Sequence, residues 1–181
     1  MTIANKDGLL GNDRGAAIIE LAFVAPILAL TIIGIVDMSN AYTRKLALEQ
    51  GTQRAIEKVM QTTGTDTVEN TIKSEVVCQV DGVTTSGGVT TCNTSPITTS
   101  DVTVTYRLEC TDSGGAITTQ TNTDADTFDT YTCGSGTVSE AKYISVNATD
   151  KYTPIFPIHF ASFTTGDGTY HISATAGMRT K

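Results

Sequence analysis

From Ala16 to Val36 the chain reads AAIIELAFVAPILALTIIGIV, 21 residues with a single ionisable group. A helix of about 20 apolar residues spans the hydrocarbon core of a bilayer. A helix apolar on every side has no stable place on the surface of a modest soluble domain. Glu20 is the anomaly in this run. A charge near the centre of a helix in lipid costs about 2.5–3.5 kcal/mol on insertion scales, and less near an end. Such a carboxylate is a functional candidate that needs a partner. Polypeptide cleavage between Gly15 and Ala16 would supply one, because it frees the α-amine of Ala16 and leaves Glu20 as the fifth residue of the new chain.

Two further features follow from the same run. Pro26 removes one backbone hydrogen bond and is expected to kink the helix. Arg14 abuts the start of the run and Asp37 its end. The positive-inside bias then puts the N-terminus in the cytoplasm. Two other readings of the segment stay open: an uncleaved signal anchor, and a secretory signal cut after Ala41. The second conflicts with the length of the run, since a signal h-region has about 7–15 residues.

The start RGAAIIELAFVAPILALTIIGIVDMSNAY, residues 14–42, resembles prepilins and most closely the TadE-like pseudopilins of the tight-adherence (Tad, or Flp) pilus. VNATDKYTPIF and HISATAGMR, residues 146–156 and 171–179, are similar to the closing strands of that family. Leu21 stands where many prepilins carry Phe, and the middle of the chain, about 65–140, matches no named pattern. The resemblance implies a minor pilin or pseudopilin matured by a prepilin peptidase at Gly15–Ala16. It implies Glu20 as the assembly carboxylate, paired with the Ala16 amine of a neighbouring subunit. The implied partners are other pilins, met through the N-terminal helix, and an inner-membrane assembly platform. The implied location is the bacterial inner membrane, single-pass with a periplasmic C-terminal domain, or the extracellular pilus itself. Neither a cofactor nor a metal is implied.

The remaining sequence divides into a leader (1–15), the membrane helix (16–36), an amphipathic extension (37–63) and a β-rich domain (64–181). In the extension, Met38, Tyr42, Leu46 or Leu48, Ala55, Ile56 and Val59 form an apolar stripe at helical spacing. That stripe needs cover, and the helix is expected to end near Thr63-Gly64. Gly51 weakens it by about 1 kcal/mol relative to Ala. Beyond it, Thr71–Ser74 reads as a short helix, Glu75–Val80 as a strand and Asp81-Gly82 as a hairpin turn. Residues 101–110 alternate cleanly, with Val102, Val104, Tyr106, Leu108 and Cys110 on one face. Residues 143–150 and 171–178 alternate again, and Pro154 and Pro157 confine 151–160 to a loop or edge. The expected fold is α+β: a long helix packed on a small antiparallel sheet.

Composition excludes some functions. The 181 residues carry a net charge of −7 with pI ≈ 4.7, which argues against a nucleic-acid partner. Four cysteines, Cys78, Cys92, Cys110 and Cys133, all lie beyond the membrane run. An even count in an exported domain reads as two disulfides. Cys78–Cys92 and Cys110–Cys133 are the favoured pairs, since each closes a local Gly-rich loop. The spacing lacks the C-x-x-C of a zinc site. The acids Asp112, Asp124, Asp126 and Asp129 lack the D-x-D-x-D-G layout of a Ca²⁺ loop and read as solvated. His159 and His171 belong to no nucleophile, metalloprotease or phosphate-loop motif, so an enzyme is not expected. The alternative function is a tip adhesin that binds through residues 65–140.

Overall fold

A computed structural model describes residues 13–61, 68–155 and 166–180, with the backbone alone for 13–16 and 68. Helix α1, Asp13–Gln61, has 49 residues and is roughly 74 Å long at 1.5 Å per residue. It begins three residues before the expected start at Ala16, so the end of the leader is helical rather than unstructured. It continues without a break through Pro26 and past Asp37. The expected stop at Thr63-Gly64 lies outside the described residues.

The outer half of α1 is a core helix of the domain. It buries Ala41, Leu48, Thr52, Ala55 and Ile56, together with Asp37. Of the expected stripe, Leu48, Ala55 and Ile56 face the core, whereas Met38, Tyr42 and Leu46 are exposed. The stripe is rotated because small residues at 41, 51, 52 and 55 let α1 approach its neighbours closely.

Helix α2, Val68–Asp81, replaces the strand expected at Glu75–Val80. Ile72, Val76 and Val80 recur every four residues, and Ile72, Val76 and Val77 are buried. Helical spacing, completed by burial against α1, overrides the β-preference of the paired valines. Gly51 of α1 meets Val76 and Val80, and Arg54 and Lys58 meet Glu75. The two helices therefore run antiparallel. Gly82, with φ at +77°, ends α2 rather than turning a hairpin. The turn lies at Gly87-Gly88, both with positive φ, between β1, Val83–Ser86, and β2, Val89–Cys92. Two central residues at positive φ give the turn that suits a two-residue hairpin.

The main sheet is antiparallel in the order β4-β3-β5-β6. Its strands are β3 (Val102–Asp112), β4 (Ile117–Asn122), β5 (Thr137–Tyr152) and β6 (Tyr170–Arg179). A short helix α3, Ala125–Asp129, follows β4. The alternation expected in β3 is present: Val102, Val104, Tyr106, Leu108 and Cys110 are buried. β3 and β5 pair with Val104 opposite Val146 and Tyr106 opposite Ile144. Ile172 and Ala174 of β6 are buried on the same inner face. Within the stretch expected as a loop or edge, Lys151 and Tyr152 remain in β5 and pair on one side only, opposite His171 and Tyr170 of β6. α1 lies against β5 and β6, and α2 against β3. The result is a long helix, half of it packed on a small sheet.

Candidate membrane and assembly site

Every described side chain from Ala17 to Ile32 is exposed. Ile18 is 69% and Phe23 73% exposed. The 45 residues Ala17–Gln61 include a window of mean hydropathy 2.5. An apolar rod of this length left uncovered by its own domain fits a single-pass membrane anchor. The helix places Gly15 and Ala16 in its first turns, where the leading backbone N–H groups lack intrahelical acceptors. Ala16 and Glu20 are four residues apart and so share a face. Glu20 is exposed among exposed apolar neighbours. Among the described residues, no lysine, arginine or histidine pairs with it.

Directly after the apolar run lies a polar joint that sequence reasoning missed. Asp37 is buried, and its Oδ1 accepts from the Tyr152 hydroxyl at 3.2 Å and from the Ile155 backbone N–H at 2.9 Å. Arg44 Nη1 donates to Asp150 Oδ2 at 3.1 Å. The Asp150 side chain is 3% exposed. The Arg44 guanidinium also lies 5.5 Å from the centre of the Tyr152 ring. Burial, supported by the bond to Asp37, raises the Tyr152 phenol above its usual pKa against the opposing pull of Asn40 and Arg44. The joint fastens the end of β5 to the first turns of α1 outside the apolar run. One signal for it was in the sequence: the alternation through Ile144, Val146 and Ala148 turns Asp150 inward, and a buried acid requires a partner.

The four cysteines pair as Cys78–Cys92 and Cys110–Cys133, with Cα atoms 4.6 and 5.6 Å apart. The first ties β2 to α2, and the second ties β3 to the loop after α3. The acids between Cys110 and Cys133 have local structural work. Asp112 Oδ1 accepts from the N–H groups of Gly114 and Ala116 at 2.8 and 2.9 Å. Asp124 caps α3, accepting from the Thr127 N–H at 2.7 Å, and this bond lowers its pKa. Among the described residues, no three His, Cys, Asp or Glu side chains are grouped to hold a metal ion. His171 is exposed on β6, with Nε2 2.9 Å from Asp167. Pro157 and His159 lie outside the described residues.

The exposed rod, the acid near its start and the joint at its outer end are thus all carried by one stretch of α1. Residues 15–56 match the family model of the TadE-like proteins. That is the family the N-terminal sequence resembles. The matched segment begins at Gly15 and takes in Glu20, Pro26, Asp37 and Arg44. No curated protein matches the chain, and no solved structure does.

Proposed function

We propose that this protein is a minor pilin or pseudopilin subunit of a Tad-type pilus, with a structural rather than catalytic role. A prepilin peptidase removes residues 1–15, and α1 holds the mature chain in the bacterial inner membrane with its domain in the periplasm. Subunits then associate through α1, and Glu20 meets the Ala16 amine of a neighbour. The observation that carries this reading is an acid on an exposed apolar helix, within the segment that matches the TadE-like model. A carboxylate held in lipid is unfavourable without a cation. Proteolysis supplies that cation, though desolvation offsets much of the attraction. Glu20→Ala is expected to leave membrane insertion intact and to abolish co-purification with partner pilins. Undiminished co-purification would refute the role given to Glu20.

One observation favours a second reading as a tip adhesin. The β1–β2 hairpin carries Thr84, Thr85, Thr90 and Thr91, all exposed, and is stapled to α2 by Cys78–Cys92. Substituting these threonines with Asp separates the two readings. Loss of surface adhesion with normal piliation supports the adhesin, whereas unchanged adhesion supports the scaffold.

A further inference from the structure

Between α1 and β6 lies an open groove of about 650 Å³. Ile35, Met38, Ala41 and Tyr42 form its α1 wall, and Tyr170 and Ile172 its β6 wall. Met38 and Tyr42 are 50% and 62% exposed, so the domain leaves much of this apolar surface open to an occupant.

Three features indicate the chemistry of that occupant. The groove starts at Ile35, inside the apolar run, so its lower end is continuous with the surface that the bilayer covers. From Ile35 to Lys45 the helix rises about 15 Å, and the interfacial layer of one leaflet adds roughly 5–8 Å beyond the hydrocarbon. The lower half of the groove therefore lies at headgroup depth, and Tyr42, about 10 Å above Ile35, stands at the outer edge of that layer as an amphipathic aromatic. At the rim stand Lys45, Ser39 and Ser173. Lys45 is half-exposed, and its nearest acid, Glu49, is 3.8 Å away. A pair that open to water is weak and leaves the ammonium able to meet a phosphate.

We propose that this groove holds one phospholipid of the leaflet on the domain side. An acyl chain lies along Ile35, Met38 and Tyr42, and the phosphate meets Lys45. The inference rests on membrane anchoring by α1 and not on the pilus reading.

The test uses the full chain in vesicles of phosphatidylethanolamine and phosphatidylglycerol. A photoreactive p-benzoylphenylalanine replaces Tyr42 in one sample and Phe23 in another. Each sample is irradiated in the vesicles, and again after extraction and washing in mild detergent, then weighed by mass spectrometry. The Phe23 probe is expected to gain lipid in the vesicles and to lose that reaction after washing. The Tyr42 probe is expected to keep an adduct of one phospholipid mass through the wash. Adding Met38→Glu should cut that adduct about tenfold, as for a binding loss of about 1.4 kcal/mol, with the Phe23 result in vesicles unchanged. A chain-to-chain cross-link at position 42, a cross-link to residues 156–165, no retained adduct, or an adduct indifferent to Met38→Glu would each overturn the proposal. Failure of Phe23 to react with lipid in the vesicles would instead overturn the anchoring on which it rests.

Discussion

Gly51 offers a test in which two effects of known size oppose each other. In an isolated helix, Gly→Ala gains about 1 kcal/mol. Here a Cβ on Gly51 would sit 2.9 Å from Val80 Cγ2 and 3.3 Å from the Val76 carbonyl oxygen. That carbonyl belongs to the backbone of α2, and the Val76 side chain is fully buried. Neither can yield unless α2 moves. Overpacking of this kind costs about 1–3 kcal/mol, so Gly51→Ala is expected to destabilise the domain by about 1 kcal/mol net. Gly51→Val gains less from helix propensity and pushes two more methyl groups into the contact, for a loss of about 3 kcal/mol. Val80→Ala removes the closest atom, so combining it with Gly51→Ala should show a coupling of about 0.5–1 kcal/mol, as contacting pairs do. Urea unfolding of the fragment 37–181 measures all four variants. If Gly51→Ala raised stability by about 1 kcal/mol and Gly51→Val changed nothing, the packing of α2 on α1 would be refuted.

Three other perturbations probe separate parts of the account. Asp37→Ala strands the Ile155 N–H and leaves the Tyr152 hydroxyl with Asn40 alone, and should cost about 1–3 kcal/mol, with faster amide exchange at Ile155 as its local sign. Tyr106 is buried with no partner for its hydroxyl among the described residues, so Tyr106→Phe should be neutral or stabilise by about 1 kcal/mol. Burial, with Glu69, Asp129 and Asp124 nearby, pushes the Tyr106 phenol up to about 12. The fold thus favours the neutral phenol: its contribution is intact below pH 10 and is lost as pH rises from 10 to about 12. Alkaline unfolding curves should show that loss in the wild type and lack it in Tyr106→Phe. Replacing Cys110 and Cys133 together by Ser opens a loop with a sequence separation of 23 and should cost about 3 kcal/mol in the chain-entropy model, read as a lower urea midpoint.

The sequence revealed β3 and β6 because each has one buried face, and burial of one face imposes strict alternation. The apolar helix was legible for the opposite reason: it is apolar on every face. The errors arose where a local signal has two meanings. Glu75–Val80 carries β-branched residues, but its apolar period is complete only when Ile72 is counted with it. Asp81-Gly82 can turn a hairpin or end a helix, and only the helix before it decides. β4, Ile117–Asn122, has almost no buried side chain, so no apolar pattern marked it. Its place comes from backbone pairing with β3. Asp37 looked like a membrane boundary because its side-chain partner, Tyr152, is 115 residues away. No local period reports so distant a contact.

The central claim is that an acid in an apolar helix is matched by an amine made by proteolysis. The direct measurement is the intact mass and N-terminal sequence of the native polypeptide extracted from its membrane. The account predicts a chain beginning at Ala16, with all four cysteines oxidised. A chain that still carries Gly15 and the residues before it would contradict the account.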